Sequence, residues 1–418
     1  MRIVFASIAF LFLTFRASAG EWPQILGPDR DGIALKEDLA ERFPAGGPKT
    51  VWTHEVGDGF AGVAVAEGKA VVFHRVGASE RVEALDAVTG KPLWKQDFPA
   101  TFVPSFVEDN GPRCVPLIHE GRVYVYGAMG QLRCLDFATG KPIWHRDTFG
   151  DYNSKRPFRG EPPEGYFGIG STPLIVDDKL IVNVGGDQMD AGMVAFALKD
   201  GKTIWKSTRE RASYSAPVLA SVGGVKHVIA VTRLSVISLD PATGKLRFRF
   251  PFNGPGPKVS AANPVILGDK LFVTASYQAG AVFAEIQADE AKMIWQSDET
   301  LSSQYTTPIE VEGKLIGVHG RQDLGNPVLR CIDPAAQKVL WEKEDLGYAT
   351  LIAADGKLLI VTTDGELIVA ALDVKAYREL ARAKLTSETI RALPALANGR
   401  LYVRDTGELK CFDLRQQP

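Results

Sequence analysis

The residue types that could carry chemistry are few and scattered. Asp29-x-Asp31-Gly32 begins like a calcium loop but lacks the remaining ligands and the closing Glu. Asp187-x-x-Asp190 is a weak metal hint that a solvated loop explains as well. Gly168-Ile-Gly-Ser171 lacks the second Gly of a nucleophile elbow, and the 6 His show no zinc spacing. No catalytic constellation emerges, and no catalytic or metal-ligating residue is assigned. Binding chemistry has better candidates. Arg113, Tyr214, Tyr305 and Arg391 each stand three residues before a Pro that opens a strand, and two Arg in such a set favour an anionic or peptide ligand. His319, Arg321 and Asp323 cluster in one further loop. A long segment, 147–170, carries Phe149, Tyr152, Phe158, Tyr166 and Phe167 among Lys155, Arg156 and Arg159. Aromatic residues mixed with Arg suit a protein-binding hot spot. The same segment also reads as an insertion that covers its own blade, and both readings stand open. A second long segment, 97–113, carries Phe98, Phe102 and Phe106.

These residues hang on a repeat. Ala84-Leu-Asp-Ala-Val-Thr-Gly-Lys-Pro-Leu-Trp94 recurs as Cys134-Leu-Asp-Phe-Ala-Thr-Gly-Lys-Pro-Ile-Trp144, and weaker copies follow to the end of the chain. Six of the 7 Trp fall on or align with one position of it: Trp52, Trp94, Trp144, Trp205, Trp295 and Trp341, with Phe248 substituting once. Each unit reads as four short antiparallel strands. A strand opens near Pro, an alternating strand such as Arg122-Val-Tyr-Val-Tyr126 follows, a third carries Leu-Asp, and a fourth carries Trp. In the turn between the last two, Asp holds backbone amides and Gly supplies a positive φ. Eight such units and no convincing helix predict an all-β, eight-bladed β-propeller. The last unit lacks a fourth strand, whereas Lys49-Thr-Val-Trp52 is a fourth strand without a unit. The N-terminal strand is therefore expected to complete the last blade and close the ring, leaving no free edge. The repeated Trp is expected to dock neighbouring blades, so that Trp144→Ala costs about 3–5 kcal/mol.

Composition bounds the rest. With 48 Lys+Arg against 50 Asp+Glu among 418 residues, the chain lacks the basic face that nucleic acid requires. At about 150 residues per domain the length alone suggests two or three domains, but the repeat assigns residues 49–418 to one. Residues 1–19 read as a secretory signal, with an apolar run too short to span a bilayer and Ala17-Ser18-Ala19 as cleavage pattern. Residues 20–48 form an N-terminal extension. Cleavage near Ala19 removes Arg2 and Arg16 and no acidic residue, moving the formal charge from −2 to −4. No Cys follows the site to carry a lipid anchor and no later segment reads as a membrane span, so a soluble, periplasmic or secreted monomer is expected. The 4 Cys occupy repeat-related or isolated positions and read as buried core, with a Cys114–Cys134 pair as the one alternative.

At the Ala-Leu-Asp-x-x-Thr-Gly-Lys-x-x-Trp phrase the chain resembles the PQQ-like β-propeller repeat superfamily. That superfamily includes quinoprotein alcohol dehydrogenases and the propeller subunit of the outer-membrane protein assembly machine. Trp22-Pro-Gln-Ile-Leu-Gly-Pro-Asp-Arg-Asp-Gly32 resembles the opening of exported propellers of planctomycete type. The dehydrogenase resemblance implies PQQ, calcium, a catalytic Asp and a disulfide between adjacent cysteines, yet no two cysteines here are neighbours and none of the other features can be matched to a position. The assembly-subunit resemblance implies a non-catalytic scaffold without cofactor, binding protein or peptide partners through its long-loop face. A PQQ-dependent oxidoreductase with a reduced cofactor site is the alternative.

Overall fold

The computed structural model describes residues 20–44, 46–104, 109–154, 168–254 and 258–415. Eight four-stranded antiparallel sheets form a closed β-propeller. Blades 1 to 7 occupy residues 63–99, 117–147, 174–207, 218–251, 265–297, 309–343 and 349–384. Blade 8 combines residues 395–413 with the N-terminal strand Lys49–Glu55. That strand pairs antiparallel with Glu408–Asp413, Lys49 opposite Asp413 and Trp52 opposite Cys411, so the first blade-forming strand closes the ring. Its side chains alternate because one face of each strand packs on a neighbouring blade.

The repeat phrase turns out to be an inter-blade contact. In the turn after the third strand, Asp86 Oδ1 accepts from the backbone N of Thr89 at 2.7 Å and from its hydroxyl at 2.8 Å. These bonds hold its carboxyl below the usual range. Gly90 follows at φ +70°, and a Cβ there would lie 2.6 Å from the Trp52 ring of the preceding blade. Gly140, Gly201 and Gly244 are seated in the same way against Trp94, Trp144 and Trp205. Each of these glycines is thus required twice, for the turn and for the indole.

The indole N–H groups complete the contact. Trp52, Trp94, Trp144, Trp205, Trp295 and Trp341 donate to the carbonyls of Ala87, Phe137, Leu198, Pro241, Pro334 and Asp373, each in the next blade, at 2.7–3.2 Å. Phe248 packs at the equivalent place without a donor, against Phe250 and His227. In all eight blades the register between third and fourth strands shifts just before this position. A bulge re-aims the following side chain, and here it turns the aromatic ring toward the neighbouring blade. The four cysteines are buried and free, and the Cys114–Cys134 alternative does not form.

Residues 22–34 lie across the central channel, on the face of the turns between first and second strands. Trp22, the one Trp outside the repeat, is 1% exposed and exchanges backbone hydrogen bonds with Val65 of blade 1. Pro23 O accepts from Ile118 N of blade 2, and Gly32 O accepts from Ala353 N of blade 7. Ile33–Ala34 adds a parallel fifth strand to blade 7. Ile25 and Leu26 fill the axis against Val115, Ala216 and Leu393. Arg30 is 5% exposed and binds the carbonyls of Pro173 and Pro217, in front of blades 3 and 4, while its Nε donates to Gln24 Oε1 at 2.8 Å. Burial pushes its guanidinium down to about 9. The segment is a plug that makes the channel blind at this end.

Candidate functional site

The loops between fourth and first strands share the opposite face with those between second and third strands. There the chain just ahead of each first strand places one residue at the channel mouth. In order around the ring these are Phe60, Arg113, Gly170, Tyr214, Ala261, Tyr305, Tyr348 and Arg391. The four candidates named from strand-opening prolines therefore belong to one ring. Phe60 and Tyr348 escaped the sequence reading because Val63 and Leu351 replace the Pro that marks the position elsewhere. Counting back from the first strand rather than from Pro would have found them.

One side of the mouth is a cup built on Phe60. The Arg113 guanidinium lies 4.9 Å from its ring centre and that of Arg391 5.4 Å. Arg113 also stacks on Phe102 at 5.8 Å and pairs with Asp109 at 3.2 Å. Its burial lowers the guanidinium below its ordinary value. Asp109 in turn accepts from the backbone N of Gly59 and Gly111 at 2.7 and 3.0 Å, tying the long loop after blade 1 to the Phe60 loop. Beneath lies Arg404, 1% exposed, which donates to the carbonyls of Ala61, Phe73 and Gly57. A cavity of about 460 Å³ opens here, lined by Phe60, Asp109, Arg391, Arg404 and Asp405 among others. Arg391 is exposed, and among the described residues its guanidinium makes no ion pair.

Across the mouth, Tyr214 lies against Gly170, where a Cβ would come within 2.7 Å of its ring and 3.3 Å of Arg113 Cβ. Tyr305 packs on Tyr348 with ring centres 4.4 Å apart and planes tilted by 45°, and its hydroxyl donates to Gln322 Oε1 at 3.2 Å. Burial raises the Tyr305 hydroxyl well above its ordinary value, so it remains a neutral donor. Arg321 sits further out, paired with Asp323 and lying 4.1 Å from the Tyr277 ring centre.

Two expected surface residues occupy other environments. Tyr152 is 5% exposed; it packs on Phe196 and shares a 2.5 Å hydrogen bond with Thr203, so its ring is core between blades 2 and 3. His319 accepts the backbone N–H of Ser302 through Nδ1 at 3.0 Å and stabilises its loop from within. Arg156, Phe158, Arg159 and Tyr166, with Lys155 and Phe167, lie outside the described residues, as do Phe106 and residues 1–19, where a leader is expected. Asp187 and Asp190 are ion-paired to Arg211 and Arg209 at 3.0 and 2.6 Å rather than facing each other over a cation.

His319 makes a pH prediction. Burial, reinforced by Arg330, pushes its imidazole from the usual 6.5 down to about 4. A base whose folded value is depressed stabilises the fold above its unfolded value and loses that contribution as pH falls toward the folded one. Wild type should therefore lose thermal stability between pH 6.5 and about 4 more steeply than His319→Gln, which cannot titrate. Parallel pH profiles of melting temperature would remove His319 from this role.

Fold and phrase together define an eight-bladed propeller of PQQ-like repeats. The family model described as outer membrane protein assembly factor BamB matches residues 40–183 and 190–324, more than half of the chain, and the chain belongs to that family. No curated protein matches it. Among solved structures it is similar to quinohemoprotein alcohol dehydrogenase from Comamonas testosteroni, with a TM-score of 0.62 and 15% identity over 97% of this chain and 82% of that one. BamB from Moraxella catarrhalis gives 0.60 and 17% over 88% and 98%. The computationally designed Ika8 protein gives 0.56 and 11% over 87% and 98%. At these identities the likeness is one of fold.

The dehydrogenase resemblance raises PQQ with calcium. Among the described residues no three His, Cys, Asp or Glu side chains converge as cation ligands, and the cysteines are separate and buried. Among the described residues, too, no helix is long and apolar enough to cross a membrane.

Proposed function

We propose that the protein is an exported, non-catalytic scaffold that binds a protein or peptide partner through its long-loop face. The observation that carries this reading is the cup at the channel mouth. Phe60 lies between two guanidinium groups there, over a floor that holds the buried Arg404. Arg and aromatic side chains clustered at the centre of a concave surface are the composition of binding hot spots. The exposed Arg391 offers donors to a carboxylate or to peptide carbonyls, and that floor suits an inserted side chain rather than a threaded chain.

The test is copurification from the native host with wild type and Arg391→Glu. A specific partner should be recovered with wild type and reduced about tenfold by the reversed charge. It should be unchanged by Leu93→Glu, on an exposed outer strand. Equal recovery with Arg391→Glu would count against this face. Saturable PQQ and Ca²⁺ binding with dye-reducing turnover would replace the scaffold by an oxidoreductase.

A further inference from the structure

The face that carries the plug holds a second cleft. In each blade alternate first-strand residues point their backbone N–H and C=O at the channel, because they sit in pairs that make no hydrogen bond to the second strand, and one such residue recurs at the same place in every blade. The eight positions are Val65, Ile118, Ile175, Leu219, Ile266, Glu310, Ala353 and Leu396, each two residues after the strand-opening Pro or the Val63 or Leu351 that replaces it; all lie one residue before the pair that closes the hairpin except Leu219, whose hairpin is two residues longer. The N-terminal segment takes three of these N–H groups, those of Val65, Ile118 and Ala353. Of the remaining five, Leu396 is fully buried. The other four line one cleft of about 450 Å³ between the plug and blades 3 to 6. Among the described residues, nothing outside their own sheets hydrogen-bonds the N–H of Ile175, Leu219, Ile266 or Glu310. Leu219 is 40% exposed there.

The walls of the cleft differ in character. Strand edges with Leu174, Ile175, Val218, Leu219, Val265 and Ile266 give an apolar side. The plug contributes Asp29 and Asp31, and blade 6 contributes Glu310; Asp29 and Glu310 each act electrostatically on Asp31. The nearby cation, Arg30, is committed to Pro173, Pro217 and Gln24. Glu310 Oε1 accepts the backbone N–H of Gly313 at 2.6 Å and Asp31 Oδ1 that of Ile33 at 2.9 Å, bonds that leave both charges in place, so three carboxylates line the cleft beside four free edge groups.

We propose that this cleft binds an extended segment of a partner polypeptide that carries a Lys or Arg. Its carbonyls meet the free edge N–H groups of blades 3 to 6, as Pro23 and Gly32 meet those of blades 2 and 7, and its cation lies against Asp29, Asp31 and Glu310. Strand addition of this kind draws affinity from the main chain and specificity from the flanking side chains. The chain's own segment already uses the mode on three blades, and the acidic rim selects the charge. The site is separate from the long-loop cup and stands or falls independently of it.

The test uses a displayed library of random dodecapeptides selected on the full protein. Selected sequences should be enriched in Lys or Arg flanked by β-branched residues. They should bind at least about tenfold more weakly to Asp29→Asn/Glu310→Gln, as expected when a charge pair loses one partner, and equally well to Arg391→Ala. Hydrogen exchange within 174–176, 218–222 and 265–267 should slow on binding. Selection without basic enrichment, equal affinity for the double variant, or unchanged exchange in those strands would overturn the proposal. So would saturable heat from CaCl₂ alone that the double variant lacks, which would give the carboxylates to a metal.

Discussion

Trp144→Ala is expected to lower unfolding stability by about 3 kcal/mol, the lower end for truncation of a buried Trp, since the outer edge of its ring meets solvent. Three contacts are lost together. The ring leaves the turn of blade 3, where Gly201 has room for it only by lacking a Cβ. Its N–H leaves Leu198 O at 2.9 Å, and its face leaves Tyr124, whose ring centre is 5.9 Å away. Trp144→Phe separates these effects. It keeps most of the ring and loses only the hydrogen bond, for a cost of about 1 kcal/mol. Urea unfolding of the three proteins measures both steps. A melting temperature unchanged in Trp144→Ala would mean that the indole does not join the blades.

Removal of Arg30 should rank with it, at about 3 kcal/mol. Each hydrogen bond from a charged donor is worth about 1.5–3 kcal/mol, and the orphaned carbonyls of Pro173 and Pro217 recover part of this from water entering through the adjoining cleft. The second signature is local. Without its pin the plug should open below the global unfolding energy, so protease cleavage within residues 35–48 should accelerate more than stability loss explains. Arg30→Lys keeps the charge but cannot span two carbonyls at once, and should fall between wild type and Ala. Unchanged stability and cleavage would show that the plug is held by Trp22, Ile25 and Leu26 instead.

Much of the fold was legible because its signals are local. Asp86, Thr89 and Gly90 make a turn whose bonds run between residues three or four apart, so the phrase reads the same in sequence as in space. Ring closure was legible too, since an unmatched fourth strand at Lys49 and a missing one after Asp413 leave a single economical pairing. The channel-mouth residues were only half legible. Pro marked Arg113, Tyr214, Tyr305 and Arg391, whereas Phe60 and Tyr348 reach the same ring from strands opened by Val and Leu. Tyr152 shows the opposite limit. Its neighbours in sequence are those of an exposed loop, and only the one-turn helix Thr148–Tyr152 turns it inward against Phe196.

The sequence by itself thus determined the blade, the number of blades and their closure, because these rest on short-range bonding and on a pattern repeated eight times. Tertiary structure alone decided where the non-repeating residues go. Asp29, Arg30 and Asp31 have no copies, and the carbonyls that Arg30 binds stand before blades 3 and 4, more than a hundred residues away. No local pattern encodes that a guanidinium will be buried against carbonyls of two blades, or that the segment carrying it will cover three strand edges and leave four bare.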